Sequence, residues 1–130
     1  MNNRYNYREL TEKDIRIMKE IVHTLRKLGI TENLDGFEYL KEAIFMAVKD
    51  PSILNQVTKE LYPELAMKFG KTPDSVEHSM RYAIDKGWKT SNVDYIYEIF
   101  CFTVQTFAKP SIKYFIKNIA SEIRLSYGMR

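Results

Sequence analysis

The sequence contains one cysteine, Cys101, which rules out an intrachain disulfide and a cluster of cysteine metal ligands. It has no apolar stretch of the roughly 20 residues that a membrane-spanning helix needs. Its first ten residues, MNNRYNYREL, also lack the apolar centre of a secretory signal peptide. From these absences we predict a cytoplasmic protein that does not enter a membrane.

Sequence motifs of enzymes are missing as well. There is no glycine-rich phosphate loop, no nucleophile elbow and no paired metal-ligand motif. The two histidines, His23 and His78, lie far apart in the sequence, and neither stands beside a cluster of further ligands. We therefore expect no enzymatic activity, no cofactor, no bound metal and no small-molecule substrate.

The sequence does contain enough apolar residues for one globular domain. Of its 130 residues, 45% are hydrophobic and 28% are charged, which is typical of folded rather than disordered chains. The net charge of +3 permits nucleic-acid binding but does not by itself indicate it. The cations are concentrated at the two ends of the chain, and residues 109–130 hold five Lys or Arg and one Glu. We predict an N-terminal arm at residues 1–10 and a single domain at residues 11–127.

Apolar residues recur three or four positions apart along almost the whole chain, which is the spacing of one helix face. No segment alternates steadily between apolar and polar residues, so no β-sheet is expected. Thr11 is a suitable N-cap for the first helix, and Gly29 is a suitable end. A loop is predicted at residues 89–92, and Pro110 precedes the last helix. The predicted fold is an all-α domain of six or seven helices.

The segment LYPELAMKFGKTPDSVEHSMRYAIDKGW, residues 61–88, has the pattern of two helices joined by a sharp turn. Gly70 can adopt the left-handed conformation that such a turn requires. The hydroxyl of Thr72 can cap the second helix, with Pro73 at its first position. We predict a helix-turn-helix at about residues 61–86, whose second helix spans about residues 73–88.

The outward face of that second helix mixes acidic and basic side chains. Asp74, Glu77 and Asp85 oppose only Arg81 and Lys86, so the helix itself supplies little attraction to phosphates. Arg81 can still form two hydrogen bonds to guanine, and Glu77 can accept one from the amino group of cytosine. The structural alternative is that Arg81 pairs with Asp85, four residues along the same helix.

Three segments resemble one known family. The start of a DNA-binding effector domain resembles the segment LGITENLDGFEYLKEAI. The recognition region of that domain resembles residues 61–88, and its closing motif resembles KPSIKYFI. That domain belongs to the stage-zero sporulation response regulator, the master transcription factor of spore formation. The resemblance implies about six helices and a second helix of the helix-turn-helix that enters the major groove. It also implies sequence-specific binding to promoters, usually as a dimer on tandem sites.

The chain departs from this family in two respects. Full-length members carry an N-terminal receiver domain with a phosphorylated aspartate, whereas about ten residues precede the first helix here. The resemblance therefore implies either an orphan effector domain or a part of a longer protein. Glu77 and Arg81 match a glutamate and an arginine that face DNA in the family, but Ser75 and His78 stand where the family usually has arginines. Base contacts of this kind contribute about 1–3 kcal/mol each, so we expect weaker binding to the family's usual site.

Two functions are consistent with these residues. In the first, the chain is a transcriptional regulator whose partner is double-stranded DNA. The helix would then contact DNA through Ser75, Glu77, His78, Arg81 and Tyr82, and protonation of His78 near pH 6 would strengthen binding. Flanking contacts to DNA, mostly to phosphates, would come from Lys68, Lys71, Thr72, Lys109 and Lys113.

In the second function, the chain is a degenerate relative that binds no DNA and pairs with the true regulator as a protein-interaction module. The acidic outward face of the second helix and the two missing arginines favour this function, whereas the intact turn at residues 70–73, with Glu77 and Arg81 both kept, favours DNA binding. Apolar residues crowd the C-terminal third of the sequence, including Ile96, Ile99, Phe100 and Phe115. This crowding predicts a homodimer that forms through the last two helices.

Overall fold

The computed structural model describes residues 9–90, 93–100 and 109–129. These ranges contain six α-helices and no β-strand, so the predicted all-α fold is confirmed. In chain order the helices are α1 (Glu12–Lys27), α2 (Asp35–Lys49), α3 (Tyr62–Phe69), α4 (Pro73–Thr90), α5 (Val93–Phe100) and α6 (Ile112–Ser126). Within the described ranges, no helix is both long enough and apolar enough to cross a membrane.

Side chains fix the start of α1 and tie it to the end of α2. The hydroxyl of Thr11 accepts a hydrogen bond from the backbone N–H of Asp14 at 3.0 Å, and the Asp14 carboxylate accepts from the N–H of Thr11 at 3.1 Å. The predicted Thr11 cap is thus confirmed. Nζ of Lys49 lies 2.7 Å from the same carboxylate. Burial raises the pKa of the Asp14 carboxyl, but the bonds from Lys49 and Thr11 outweigh it, and the pKa lies below its ordinary value.

The central helix of the domain is α2, in which eleven of fifteen residues are buried. It is surrounded because it packs against α1, α4 and α6. Gly36, near its start, touches α4 so closely that a Cβ there would lie 2.3 Å from the carbonyl oxygen of Ser79. Near its other end, the guanidinium of Arg124 in α6 donates to the carbonyl of Val48. One end of α2 therefore positions α4, and the other end positions α6.

Two short elements connect α2 to α3, a 3₁₀ helix at Pro51–Gln56 and a π-helical turn at Val57–Leu61. The carboxylate of Asp50 caps the 3₁₀ helix by accepting from the N–H of Ser52 at 3.1 Å. Pro51 occupies the first position of that helix, where the absence of an N–H costs nothing. Pro51 therefore begins a new element after α2.

The predicted loop at residues 89–92 is wrong in its first half, because α4 continues through Lys89 and Thr90. Contacts one turn apart extend the helix. Nζ of Lys89 lies 3.3 Å from the carboxylate of Asp85, and the hydroxyl of Thr90 donates to the carbonyl oxygen of Lys86 at 3.1 Å. Cys101 lies outside the described ranges, and so do Phe102, Val104 and Phe107, three further apolar residues of the C-terminal third on which the predicted homodimer rests.

Candidate nucleic-acid interface

A three-residue turn connects α3 to α4. Gly70 ends α3 with φ 64° and ψ 40°, the left-handed conformation that glycine adopts without strain, and no atom lies within 4 Å of where its Cβ would be. The N–H of Lys71 donates to the carbonyl oxygen of Ala66 at 2.8 Å, which closes the end of α3. The hydroxyl of Thr72 accepts from the N–H of Ser75 at 3.1 Å and caps α4.

The inner face of α4 is buried against the rest of the domain. Val76, Met80 and Ala83 have no exposed surface, and Ile84 has almost none. Gly87, one turn further on, lies against the chain between α1 and α2, where a Cβ would come within 2.5 Å of the carbonyl oxygen of Leu28. Together with the contact at Gly36, this packing fixes α4 along its length and leaves its opposite face in solvent.

One flank of that outer face carries an ion pair. Nη2 of Arg81 lies 2.6 Å from Oε2 of Glu77, and the side chains are 54% and 38% exposed. The predicted alternative, a pair between Arg81 and Asp85, is wrong, because Asp85 binds lysines instead. The pair lies near Tyr62 of α3, whose phenol pKa is raised by burial and, to a smaller degree, by the negative charge of Glu77. The two side chains predicted to read bases therefore contact each other.

The other flank forms a cleft with the start of α2. His78, Ser79 and Tyr82 line it from α4, and Asn33 and Asp35 line it from the other side, around a volume of about 350 Å³. We call this the α4 cleft. Because residues 77 and 78 are separated by about 100° around the helix axis, the Glu77–Arg81 pair and the α4 cleft face different directions. Ser75 and Tyr82 are both exposed and lie on the same side of the helix as His78. The residues of α4 predicted to contact DNA therefore divide between the flank of the α4 cleft and the flank of the Glu77–Arg81 pair.

Two of the four lysines predicted to bind phosphate are held by carboxylates. Nζ of Lys68 lies 3.0 Å from Oε1 of Glu42 on α2, a side chain that is only 6% exposed. Burial raises the pKa of the Glu42 carboxyl, although Lys68 acts in the opposite direction. Nζ of Lys109 lies 3.3 Å from Oδ1 of Asp85. Hydrogen bonds from Lys109 and Lys89 lower the pKa of Asp85.

The other two lysines have no ion pair within the described part of the chain. Lys71 is exposed in the turn before α4. Lys113 lies on α6, in a cleft that α6 forms with the 3₁₀ helix and the end of α2. We call this the α6 cleft, and its lining residues are Ala47, Pro51, Leu54, Asn55, Lys113, Lys117, Ala120, Ser121 and Arg124.

Sequence reasoning missed the residues that other elements contribute to both clefts. Asn33 and Asp35 precede or begin α2, and Asn55 belongs to the 3₁₀ helix, so only packing brings them to α4 and α6. The like charges of Lys113 and Lys117, four residues apart, were the one local signal of the α6 cleft. Among the described residues, no group of three or more His, Cys, Asp or Glu side chains is placed to hold a metal ion.

Comparison with known families agrees with this arrangement. The model of the family described as sporulation initiation factor Spo0A C terminal matches residues 21–123, a range that includes α2, α3 and α4. The resemblance found in the sequence is thus confirmed. Domains of this family are all-α DNA-binding transcription regulators of sporulation, and the family is not an enzyme family. The chain therefore belongs to the Spo0A C-terminal family of sporulation regulator domains.

Proposed function

We propose that the chain binds double-stranded DNA sequence-specifically and regulates transcription, with α4 as the helix that enters the major groove. The observation that carries this proposal is the presentation of α4. Its start is capped by Thr72 after the left-handed Gly70, its inner face is buried, and its outer face projects Arg81 into solvent. A helix fixed from behind and exposed in front can dock in a groove without rearrangement.

Arg81 supplies the base contact in this proposal, and Glu77 orients it. A carboxylate bound to one guanidinium nitrogen restricts the side chain and leaves the other donors for N7 and O6 of guanine. Because the pair is exposed, holding it together contributes little stability, and DNA can compete for either partner. Glu77 remains available to accept from a cytosine amino group when Arg81 turns towards a neighbouring base.

The α4 cleft contributes a second, weaker set of contacts. His78 and Tyr82 lie four residues apart on the flank that faces Asp35. Ser75 is exposed one turn before His78 on the same side of the helix. Neutral His78 offers one donor and one acceptor, whereas its protonated form offers two donors and a charge.

Phosphate contacts fall mainly to Lys71 and Lys113 in this scheme. Lys68 and Lys109 are held by Glu42 and Asp85, so their charges are partly neutralised before DNA arrives. The hydroxyl of Thr72 already caps α4, and we assign it to positioning the helix. A homodimer through α5 and α6 stays part of the proposal, and both helices carry an exposed large hydrophobic side chain, Tyr97 on α5 and Leu125 on α6.

Selection from a random DNA pool at low salt, followed by titration of the enriched duplex, tests the proposal. We expect one or a few related sequences to be enriched, and we expect Arg81→Ala to relax the preference at one base pair. The matched control is Arg16→Ala, which removes an exposed arginine from α1. If no sequence is enriched and duplex binding stays weaker than roughly 10⁻⁴ M at low salt, α4 is not a recognition helix. The protein-interaction module, which the family match does not favour, would then replace it.

A further inference from the structure

The α6 cleft is a concave site whose charged lining residues are all cations. Lys113, Lys117 and Arg124 contribute three cations, Asn55 and Ser121 contribute neutral polar groups, and no lining residue is acidic. Its volume is about 160 Å³, less than half that of the α4 cleft. A small concave site with charges of one sign concentrates the potential there and attracts a small anion.

Helix geometry explains why the three cations converge. Lys113 and Lys117 are four residues apart, and Arg124 follows Lys117 by seven, so all three lie on one side of α6. Glu122, the one acidic residue of α6, falls on the opposite side of the helix, because it follows Lys117 by five positions. The two lysines therefore repel each other with no carboxylate of their own helix between them.

The walls of the cleft are fixed, whereas its lysines are exposed and adjustable. The guanidinium of Arg124 donates to the carbonyl of Val48, which anchors this cation to α2. Asp50, the nearest acidic residue in the chain segment that forms the opposite wall, uses its carboxylate to cap the 3₁₀ helix at Ser52. The small side chains of Ala47 and Ala120 leave the floor open.

We propose that the α6 cleft binds one phosphodiester of the DNA backbone, held jointly by Lys113 and Lys117. The inference rests on the proposed function, because it takes duplex DNA as the ligand. It goes further in making the two lysines a single site, with a third cation, Arg124, about two turns further along α6 and anchored to Val48. The site is sequence-independent, since a phosphate offers the same oxygens beside every base.

A double-mutant cycle on duplex DNA of mixed sequence at low salt tests whether the lysines form one site. The variants are Lys113→Gln, Lys117→Gln and the double variant, and Lys19→Gln with Lys59→Gln removes the same charge from exposed positions elsewhere. We expect each cleft substitution to weaken binding. We also expect the loss in the double variant to fall short of the product of the two single losses, because both lysines hold one phosphate. Losses that simply multiply, or that equal those of the control pair, would overturn the proposal.

Salt dependence gives a second reading of the same variants. One phosphate contact contributes a slope of about −0.9 to the logarithm of affinity against the logarithm of salt concentration. The ratio of the DNA affinity of the unaltered protein to that of the double variant should therefore fall by about 3.5-fold between roughly 50 and 200 mM salt. An unchanged slope would contradict a phosphate in the cleft.

Titration with inorganic phosphate, followed by backbone amide NMR shifts, separates the two sources of the anion. Shifts confined to Asn55, Lys117 and Ser121, together with a loss of DNA affinity in the double variant, support the proposal. If phosphate shifts these amides while DNA affinity is unaffected, the cleft binds free anions and the assignment to DNA is wrong. Because the DNA has mixed sequence, this result does not depend on whether Arg81 reads a base, and the two proposals can fail separately.

Discussion

The outer face of α4 and the α6 cleft both present cations to solvent, but only on α4 are cations paired with carboxylates of their own helix. On α4, Arg81 is bound by Glu77 and Lys89 by Asp85, so these two cations are balanced by carboxylates of the same helix. In the α6 cleft, Lys113 and Lys117 lie one turn apart on α6, and no carboxylate lines the cleft. A balanced face can orient a few donors towards bases, whereas an unbalanced one attracts phosphates of any sequence. Under the proposed function, α4 supplies sequence selectivity and α6 supplies affinity for the DNA backbone.

The largest effect should come from disturbing the helix that holds both surfaces. In Gly36→Ala, the new methyl group would lie 2.3 Å from the carbonyl oxygen of Ser79 and 2.8 Å from Cβ of Ala83. Since the nearest of these atoms belongs to the backbone, α2 and α4 must separate, and the free energy of unfolding should fall by about 3 kcal/mol.

Urea unfolding measures this effect. Gly128→Ala is the control, because Gly128 also has an unusual conformation, with φ 66°, but no atom within 4 Å of an added Cβ. Backbone strain alone should cost it about 1 kcal/mol. Equal losses in the two variants would show that α2 and α4 do not approach each other closely at Gly36.

The next effect concerns selectivity. Arg81→Ala should reduce discrimination at one base pair by about 2 kcal/mol, while affinity for mixed-sequence DNA changes little. Glu77→Gln keeps the size of the side chain but removes the charge that orients Arg81, so it should give a smaller loss at the same base pair. Competition binding with single-base variants of the enriched site measures both. A loss in Glu77→Gln at a different base pair would mean that Glu77 reads its own base.

A smaller effect should distinguish Lys68, which stabilises the fold, from Lys71, which is proposed to bind DNA. Lys68→Met removes the ion pair between Lys68 and the buried Glu42 carboxylate, and we expect a cost of about 1–2 kcal/mol in the free energy of unfolding. Lys71→Met should cost less than about 0.5 kcal/mol, because Lys71 is exposed, but it should weaken DNA binding more. Thermal unfolding and DNA titration of the two variants should therefore rank them in opposite orders.

The pH dependence of the Lys68→Met variant has a definite sign. Burial raises the pKa of Glu42 above its ordinary value of 4.5, and removal of Lys68 raises that pKa further. The folded state then takes up a proton at a higher pH than the unfolded state does, so stability increases as the pH falls through the raised pKa. Lowering the pH from 7 towards 4.5 should recover part of the lost stability, and Glu42→Gln in the same variant should remove that recovery.

The smallest predicted effect is a gain in affinity for duplex DNA. Asp85→Asn releases Lys89 and Lys109 from a shared carboxylate, so binding to all duplexes should strengthen by about two- to threefold at low salt. Because both lysines lower the pKa of Asp85, the carboxylate stays charged at neutral and mildly acidic pH, and the gain should be the same at pH 6 and pH 8. Unchanged affinity would mean that this end of α4 lies away from the DNA.

Sequence reasoning was most successful where the deciding contacts are local. The Thr11 and Thr72 caps and the left-handed Gly70 follow from residue types within one turn of each other, and they are present in the structure. It failed to predict the partner of Arg81, because Glu77 and Asp85 are both four residues away from it. The choice follows from Lys89 and Lys109, which both bind Asp85 in the structure.

Contacts between distant segments were beyond what the sequence pattern reveals. Nothing in the spacing of apolar residues shows that Lys68 would meet a buried glutamate on α2 or that Lys109 would meet Asp85 on α4. The composition of the α6 cleft was hidden for the same reason, since Asn55 reaches it only through the 3₁₀ helix between α2 and α3. Pairing across the fold, rather than charge in the sequence, decides which lysines remain available to phosphates.

Matched double variants test the division between the two surfaces most directly. Lys113→Gln with Lys117→Gln and Lys68→Gln with Lys109→Gln remove equal charge, and circular dichroism can verify that each variant is folded. The measured quantity is the slope of the logarithm of affinity for mixed-sequence DNA against the logarithm of salt concentration. We expect the magnitude of this slope to fall by about 0.9 in the first pair and by less than about half of that in the second. An equal or larger fall in the second pair would contradict the account, because it would place the phosphate contacts on the lysines that Glu42 and Asp85 hold.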